Sequence, residues 1–242
     1  MTIYAYSMIF LITLVGILVF PFLFIALKLF TRWSHDRVMR ALIWLYGRSW
    51  IAMMSPFVRF RREGFDQFTV SPPYVIVVNH YSFFDTYCMA LLPFHNVAFA
   101  VRAWPFKMLW YTPFMLLARY LNVEDMNLAS ILSAGAEVLN SGGSVLFFPE
   151  GHRSRDGNIQ RFYSGPFKLA CETGMKVLPL CITGTDSLLP PGTWLLRPST
   201  VRLRALPPIA PSGCENPNGH SMLRKHVKDL MARAIAEMRA GR

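Results

Sequence analysis

Charge is missing where this sequence begins. No side chain among residues 1–27 is charged, and the stretch Ile3–Leu27 is almost wholly apolar. Acidic residues are scarce throughout, 14 against 25 lysines and arginines in 242 residues, which leaves a net charge of +11. A hydrophobic share of 53% is high for a chain that meets only water. The surplus of positive charge calls for anionic partners. No nucleic-acid-binding motif accompanies it, so an anionic lipid surface is the better match. The four cysteines, Cys88, Cys171, Cys181 and Cys214, show no CxxC spacing and no histidines at metal-ligand intervals. No zinc site is implied, and the expectation is buried or incidental thiols in a reducing compartment. No serine or cysteine sits in a Gly-x-Ser-x-Gly elbow, and internal repeats and low-complexity runs are absent.

At 1.5 Å per residue, the roughly 25 apolar residues reach about 37 Å, enough for a hydrocarbon core of about 30 Å. The stretch lacks the basic n-region and small-residue cleavage site of a signal peptide. Pro21 is expected to kink it, which makes a helix seated in one leaflet a competitor to a true span. Lys28, Arg32, Arg37, Arg40 and Arg48 all follow, so the positive-inside rule puts the remainder on the cytoplasmic side of the cell's inner membrane. Residues 36–54 read as a second helix. There Arg37, Arg40 and Arg48 fall within an arc of roughly 80° that includes Trp44, a pattern suited to an interfacial helix. The expected organisation is N-terminal membrane-anchoring helices over 1–54 and an α/β domain over 55–242.

Within that domain the organising stretch is Asn79-His80-Tyr81-Ser82-Phe83-Phe84-Asp85, directly after the buried-strand pattern Pro73–Val78. His80 thus stands at a strand's C-terminal end, and Asp85 lies five residues on, within reach of the imidazole through a turn. A carboxylate there fixes the tautomer and steadies the imidazolium formed when His80 takes a proton. Without a protein nucleophile, the proton is expected to come from a hydroxyl of the substrate. A second strand pattern, Ser144–Phe148, runs into Pro149-Glu150-Gly151-His152-Arg153-Ser154. Gly151 allows a sharp bend, and an arginine beside it suits bidentate binding of phosphate or carboxylate.

Asn-His-x4-Asp followed about sixty-five residues later by Phe-Pro-Glu-Gly-x-Arg-Ser resembles the glycerolipid acyltransferases, the 1-acylglycerol-3-phosphate acyltransferase family, over roughly residues 55–210. The resemblance implies a mixed central sheet flanked by helices, and transfer of an acyl group from acyl-CoA or an acyl carrier protein to a lyso-lipid. It implies His80 and Asp85 as the catalytic pair, and Glu150, Gly151, Arg153, Asn79 and Ser154 at the substrate. Backbone N–H groups near Gly151 would meet the oxyanion, the segment Trp104–Ala118 would line the acyl chain, and no cofactor beyond the thioester co-substrate is expected. His152 stands where the family commonly has threonine. Where the family usually ends its second block with Ile-Asp-Arg, this chain has Arg119 to Asp125, with Glu124 and Asp125 in place of a cation. Such carboxylates repel a phosphate dianion, which points to a zwitterionic or amino-acid-based lyso-lipid of ornithine type as the alternative acceptor, with Arg119 as a displaced substitute cation. Thioester hydrolysis and a non-catalytic scaffold are the other readings. Val177–Ile182 carries a central Pro179, which predicts a strand at an edge or an irregularity of the sheet, bordering the acyl pocket.

Overall fold

A computed structural model describes residues 1–109, 111–154 and 156–241. The uncharged stretch is one helix, α1 (Thr2–Phe30), which continues through Pro21, and α2 (His35–Met54) follows it. Then come β1 (Val58–Glu63), β2 (Val75–Val78), the short α3 (Asp85–Cys88) with a 3-10 turn at Met89–Leu91, and β3 (Val97–Val101). A second 3-10 turn, Trp104–Lys107, leads to α4 (Thr112–Leu117) and β4 (Leu121–Asn122). The remainder alternates: α5 (Leu128–Asn140), β5 (Ser144–Phe147), α6 (Gly165–Thr173), β6 (Val177–Thr183), α7 (Thr185–Leu188), β7 (Ser199–Ala205) and α8 (Gly219–Ala240). Asn127 caps α5 by accepting the Ser130 N–H, and Pro166 sits in the first turn of α6, where its missing donor is harmless.

The seven strands form one mixed sheet in the order β1-β7-β6-β2-β5-β3-β4. From β6 to β4 all pairs are parallel; β7 runs antiparallel to β6, with β1 parallel to β7 at the edge. Every residue of β2, β5 and β6 is buried, as continuous apolar runs demand of central strands. One face, with Val75, Val77, Val145, Phe147 and Val177, packs on α5, α6 and α8. The other, with Ile76, Val78, Leu146, Leu178 and Ile182, packs on Trp50, Met54, Phe84 and Met89. Helix α2 serves both cores, since Val38, Met39 and Leu42 join the first and Trp50 and Met54 the second. A boundary at residue 54 therefore does not separate two cores.

Pro179 lies in an interior strand, at an irregularity of the sheet rather than at its edge. Its carbonyl accepts the Leu206 N–H at 3.0 Å, one residue past the last regular pair, Leu180 with Ala205, and its nitrogen has no proton to give in return. Two sequence expectations are corrected. Cys171 and Cys214 form a disulfide, 43 residues apart and with Cα atoms 5.3 Å apart, because α6 carries Cys171 to the loop that precedes α8; Cys88 and Cys181 are buried thiols. Arg40 is buried, not part of a lipid-facing stripe: it donates to Ala118 O (2.9 Å) and Asn96 Oδ1 (3.0 Å) and pairs with Asp36 (3.0 Å). Arg37 and Arg48 lie over Trp33 and Trp44 respectively.

Helix α1 lies along the domain. Thr2 exchanges hydrogen bonds with the main chain of Leu196, Tyr6 donates to Trp194 O, Thr13 meets Tyr46 Oη at 2.7 Å, and Phe20 packs edge-on to Phe114. The opposite face is bare, with Phe10, Leu18 and Phe22 exposed by 71%, 63% and 74%.

Losing one partner of a buried ion pair strands the other. Arg40→Ala is accordingly expected to lower the free energy of unfolding by about 3–5 kcal/mol, read from denaturant midpoints. A change within experimental error would return Arg40 to the surface.

Candidate active site

The parallel strands β2 and β5 end side by side at the sheet's carboxyl edge, with Val77 level with Phe147, and the two motif turns rise next to each other there. Just past β2 the Asn79 amide is buried and pairs with the main chain of Ile182, accepting its N–H at 2.8 Å and donating to its carbonyl at 2.9 Å. His80 follows, with its side chain partly exposed. Asp85, at the start of α3, is fully buried, and its Oδ2 faces three N–H groups: His80 Nδ1 at 2.8 Å, Tyr81 N at 2.6 Å and Ser82 N at 2.8 Å. An acceptor so placed assigns the proton to Nδ1 and leaves the Nε2 lone pair free. Phe148 stacks on the imidazole, with centroids 4.2 Å apart and planes 27° apart.

The second turn holds the main chain of the first. Glu150 is turned inward and 3% exposed; its Oε1 accepts the His80 N–H and its Oε2 the Gln160 N–H, both at 2.8 Å. The Ser154 N–H donates to His80 O at 2.8 Å, and its hydroxyl donates to Asp156 Oδ1. Gly151 takes φ +70°, and a Cβ there would stand 2.8 Å from the Tyr163 ring. Its N–H is used in the turn, on Phe148 O at 3.1 Å. Of the residues expected at the substrate, Asn79, Glu150 and Ser154 thus spend their polar atoms inside the protein, while Arg153 is exposed beside the turn.

Sequence reasoning missed Arg102. Leaving the end of β3, it donates to Glu124 from Nε at 2.5 Å, makes a second contact to the same carboxylate through Nη2, and brings Nη1 to 3.1 Å from His152 Nδ1. Glu124 also accepts the Ala103 N–H at 2.7 Å. That bond, followed by Arg102, holds its carboxyl below the usual range. Glu124 therefore does not stand as a bare negative charge. The available signal was position, an arginine directly after a strand at the sheet's ligand-bearing edge. Arg119 is no substitute cation: it precedes β4, at the far end of that strand from Glu124, and is paired with Glu137 at 2.6 Å.

A family model for acyltransferases matches residues 59–183, more than half of the chain and both turns. The chain belongs to the acyltransferase family. Among individual relatives, the chloroplastic 1-acyl-sn-glycerol-3-phosphate acyltransferase LPAT1 of Arabidopsis thaliana is 31% identical over 164 residues, covering 64% of this chain and 44% of that one. The Brassica napus chloroplastic enzyme BAT2 is 29% identical, covering 65% and 47%. This member of the family thus spans less than half the length of those two relatives. The alpha form of the sheep 1-acyl-sn-glycerol-3-phosphate acyltransferase is 27% identical over 189 residues, 75% of this chain and 64% of its own. The crystal structure of the 1-acyl-sn-glycerophosphate (LPA) acyltransferase PlsC from Thermotoga maritima superposes with a TM-score of 0.73 over 98% of both chains at 24% identity, a shared fold.

Burial raises the Glu150 carboxyl above its ordinary value, and the N–H groups of Gln160 and His80 pull it back only in part. With the folded pKa above the unfolded one, the stability this group contributes is greatest below its ordinary pKa and falls as pH rises through the folded value. Glu150→Gln does not titrate. Its cost relative to wild type is therefore expected to be largest near about pH 4 and to shrink toward about pH 7, a trend that thermal melts of the two proteins across that range can check.

Proposed function

We propose that this protein transfers a fatty acyl group from an acyl thioester to the hydroxyl of a lyso-lipid, with 1-acylglycerol-3-phosphate as the acceptor and phosphatidic acid as the product. The observation that carries this reading is the His80–Asp85 pair, with no serine or cysteine poised as a nucleophile beside it among the described residues: Ser154 Oγ is bonded to Asp156, and Cys88 and Cys181 are buried. His80 Nε2 takes the proton of the acceptor hydroxyl as its oxygen bonds to the thioester carbonyl carbon. The tetrahedral intermediate then collapses, the carbon–sulfur bond breaks, and the departing thiolate takes the proton back from the imidazolium. Asp85 steadies that imidazolium throughout. The relatives' names support the acceptor. So do Arg102, which meets His152, and the exposed Arg153, which follows His152 in the chain. Glu150 acts by holding the His80 main chain rather than by touching substrate. Either acyl-CoA or acyl carrier protein can serve as donor; the +11 net charge suits an acidic carrier.

Glu124 favours a second reading, in which partial neutralisation of Arg102 selects a zwitterionic or ornithine-type lyso-lipid. Thioester-dependent acylation of lysophosphatidic acid, lysophosphatidylethanolamine and an ornithine lyso-lipid distinguishes the two. Wild type is expected to acylate lysophosphatidic acid best, and Arg102→Ala to raise the KM for it about tenfold or more. His80→Ala should lose on the order of a thousandfold in kcat. An active His80→Ala protein would remove the proposed base, and thioester consumption without a new lipid would mean hydrolysis.

For the membrane, we propose that α1 lies in the surface of one leaflet with its bare face in lipid, on the cytoplasmic side of the inner membrane. Its contacts with the rest of the chain run from Thr2 to Phe20, about 27 Å at 1.5 Å per residue, which supports a helix lying beside the domain. The paired change Phe10→Glu and Phe22→Glu is expected to release the protein from anionic vesicles in a flotation assay while leaving its fold intact. Continued flotation would count against this face.

A further inference from the structure

The last turn of α8 reaches back to the catalytic turn. Arg239 lies with its guanidinium carbon 4.8 Å from the centroid of the Tyr81 ring, and its Nη2 donates to Asp186 Oδ2 at 3.3 Å. Its two terminal nitrogens also face Gly157 so closely that a Cβ there would stand 3.0 and 3.1 Å from them. One guanidinium therefore touches the loop after β2, the loop after β5 and the helix start after β6. Two of those loops terminate on His80. Tyr81 is its neighbour and gives its N–H to Asp85 Oδ2, the same oxygen that holds His80 Nδ1. The 154–157 loop begins at Ser154, whose N–H holds His80 O.

The surroundings are buried and polar. Tyr81 is 2% and Thr185 0% exposed, and among the described residues Tyr81 Oη, Thr185 Oγ1, Asp186 Oδ1 and Arg239 Nε have no hydrogen-bond partner. Tyr81 is thus kept in place by its ring face and by its main chain, not by its hydroxyl. A planar cation that stacks on that face while reaching a carboxylate in its own plane suits such a site.

We propose that Arg239 is a positioning residue for acyl transfer: through the Tyr81 ring it fixes the N–H that sets Asp85 Oδ2, and hence the aim of His80. It touches no reacting atom. The proposal rests on the acyltransferase reading above, and acts where a displacement of a fraction of an ångström matters most.

The test is acylation of lysophosphatidic acid by the full-length protein in detergent, with kcat, acceptor KM and melting temperature measured for each variant. Arg239→Ala is expected to lose about tenfold in kcat with KM within about twofold of wild type. Arg239→Lys, which keeps the charge over the ring, should recover part of the loss. Asp186→Asn, which frees the other end of the guanidinium, should show a smaller loss in the same direction, and it decides the matter if Arg239→Ala does not fold. Full kcat in folded Arg239→Ala, or in Asp186→Asn when the first variant cannot be made, overturns the proposal. So does a loss of activity that disappears on assaying well below the melting temperature, because that marks a role in stability alone. Absence of acylation by wild type itself strikes the acyltransferase reading instead, and active wild type beside inert His80→Ala shows that reading intact.

Discussion

A single carboxylate oxygen organises the site. Asp85 Oδ2 gathers the imidazole N–H of His80 and the backbone N–H groups of Tyr81 and Ser82, all within 2.8 Å. Charge-assisted bonds of this kind are roughly twice as strong as neutral ones, and burial keeps water from competing for them. The two backbone donors are what make the third useful. They fold the chain from His80 to Asp85 into a tight turn, so that the carboxylate and the imidazole meet in one geometry rather than in several. Glu150 applies the same device from the neighbouring turn, with an oxygen each for the N–H of His80 and of Gln160. Two buried carboxylates thus hold one histidine, one at its ring and one at its main chain, and the sheet beneath holds both turns.

Much of this was legible in the chain because the informative features are local. Uninterrupted apolar runs gave β2 and β5, and the polar residues directly after them gave the turns; the five-residue spacing from His80 to Asp85 was enough to predict their bond. What stayed hidden depends on contacts between distant segments. Arg40 has a helical phase that places it among surface arginines, yet α2 packs across the domain and carries it to Asn96 and Ala118. Cys171 and Cys214 are 43 residues apart, and only the approach of α6 to the loop before α8 joins them. Pro179 reads as a mark of an edge or of an irregularity, and which of the two holds depends on where β7 ends.

Charge was hardest to read. Glu124 in the linear sequence looks like repulsion for an anionic head group. In the fold it is the partner that orients Arg102 against His152, so that an acidic residue supports a cation at the same edge. The sign of a residue told less than the identity of its neighbour, because the pairing joins segments from the ends of two strands.

Asn79 has a consequence for the sheet itself. Strand β2 stops at Val78 while β6 continues to Thr183, so the peptide of Ile182 has no backbone partner on the β2 side. The Asn79 amide supplies both halves of that missing partner, one acceptor and one donor. A side chain thereby stands in for a length of strand, and the backbone it releases is free to climb out of the sheet and present His80. The candidate active site is in this sense a notch in a β-sheet, with one wall closed by a carboxamide. Aspartate has the reach but no donor, and leucine has the shape but neither group. The residue beside the proposed base is therefore selected by the arithmetic of hydrogen bonds in the sheet, whatever the site receives.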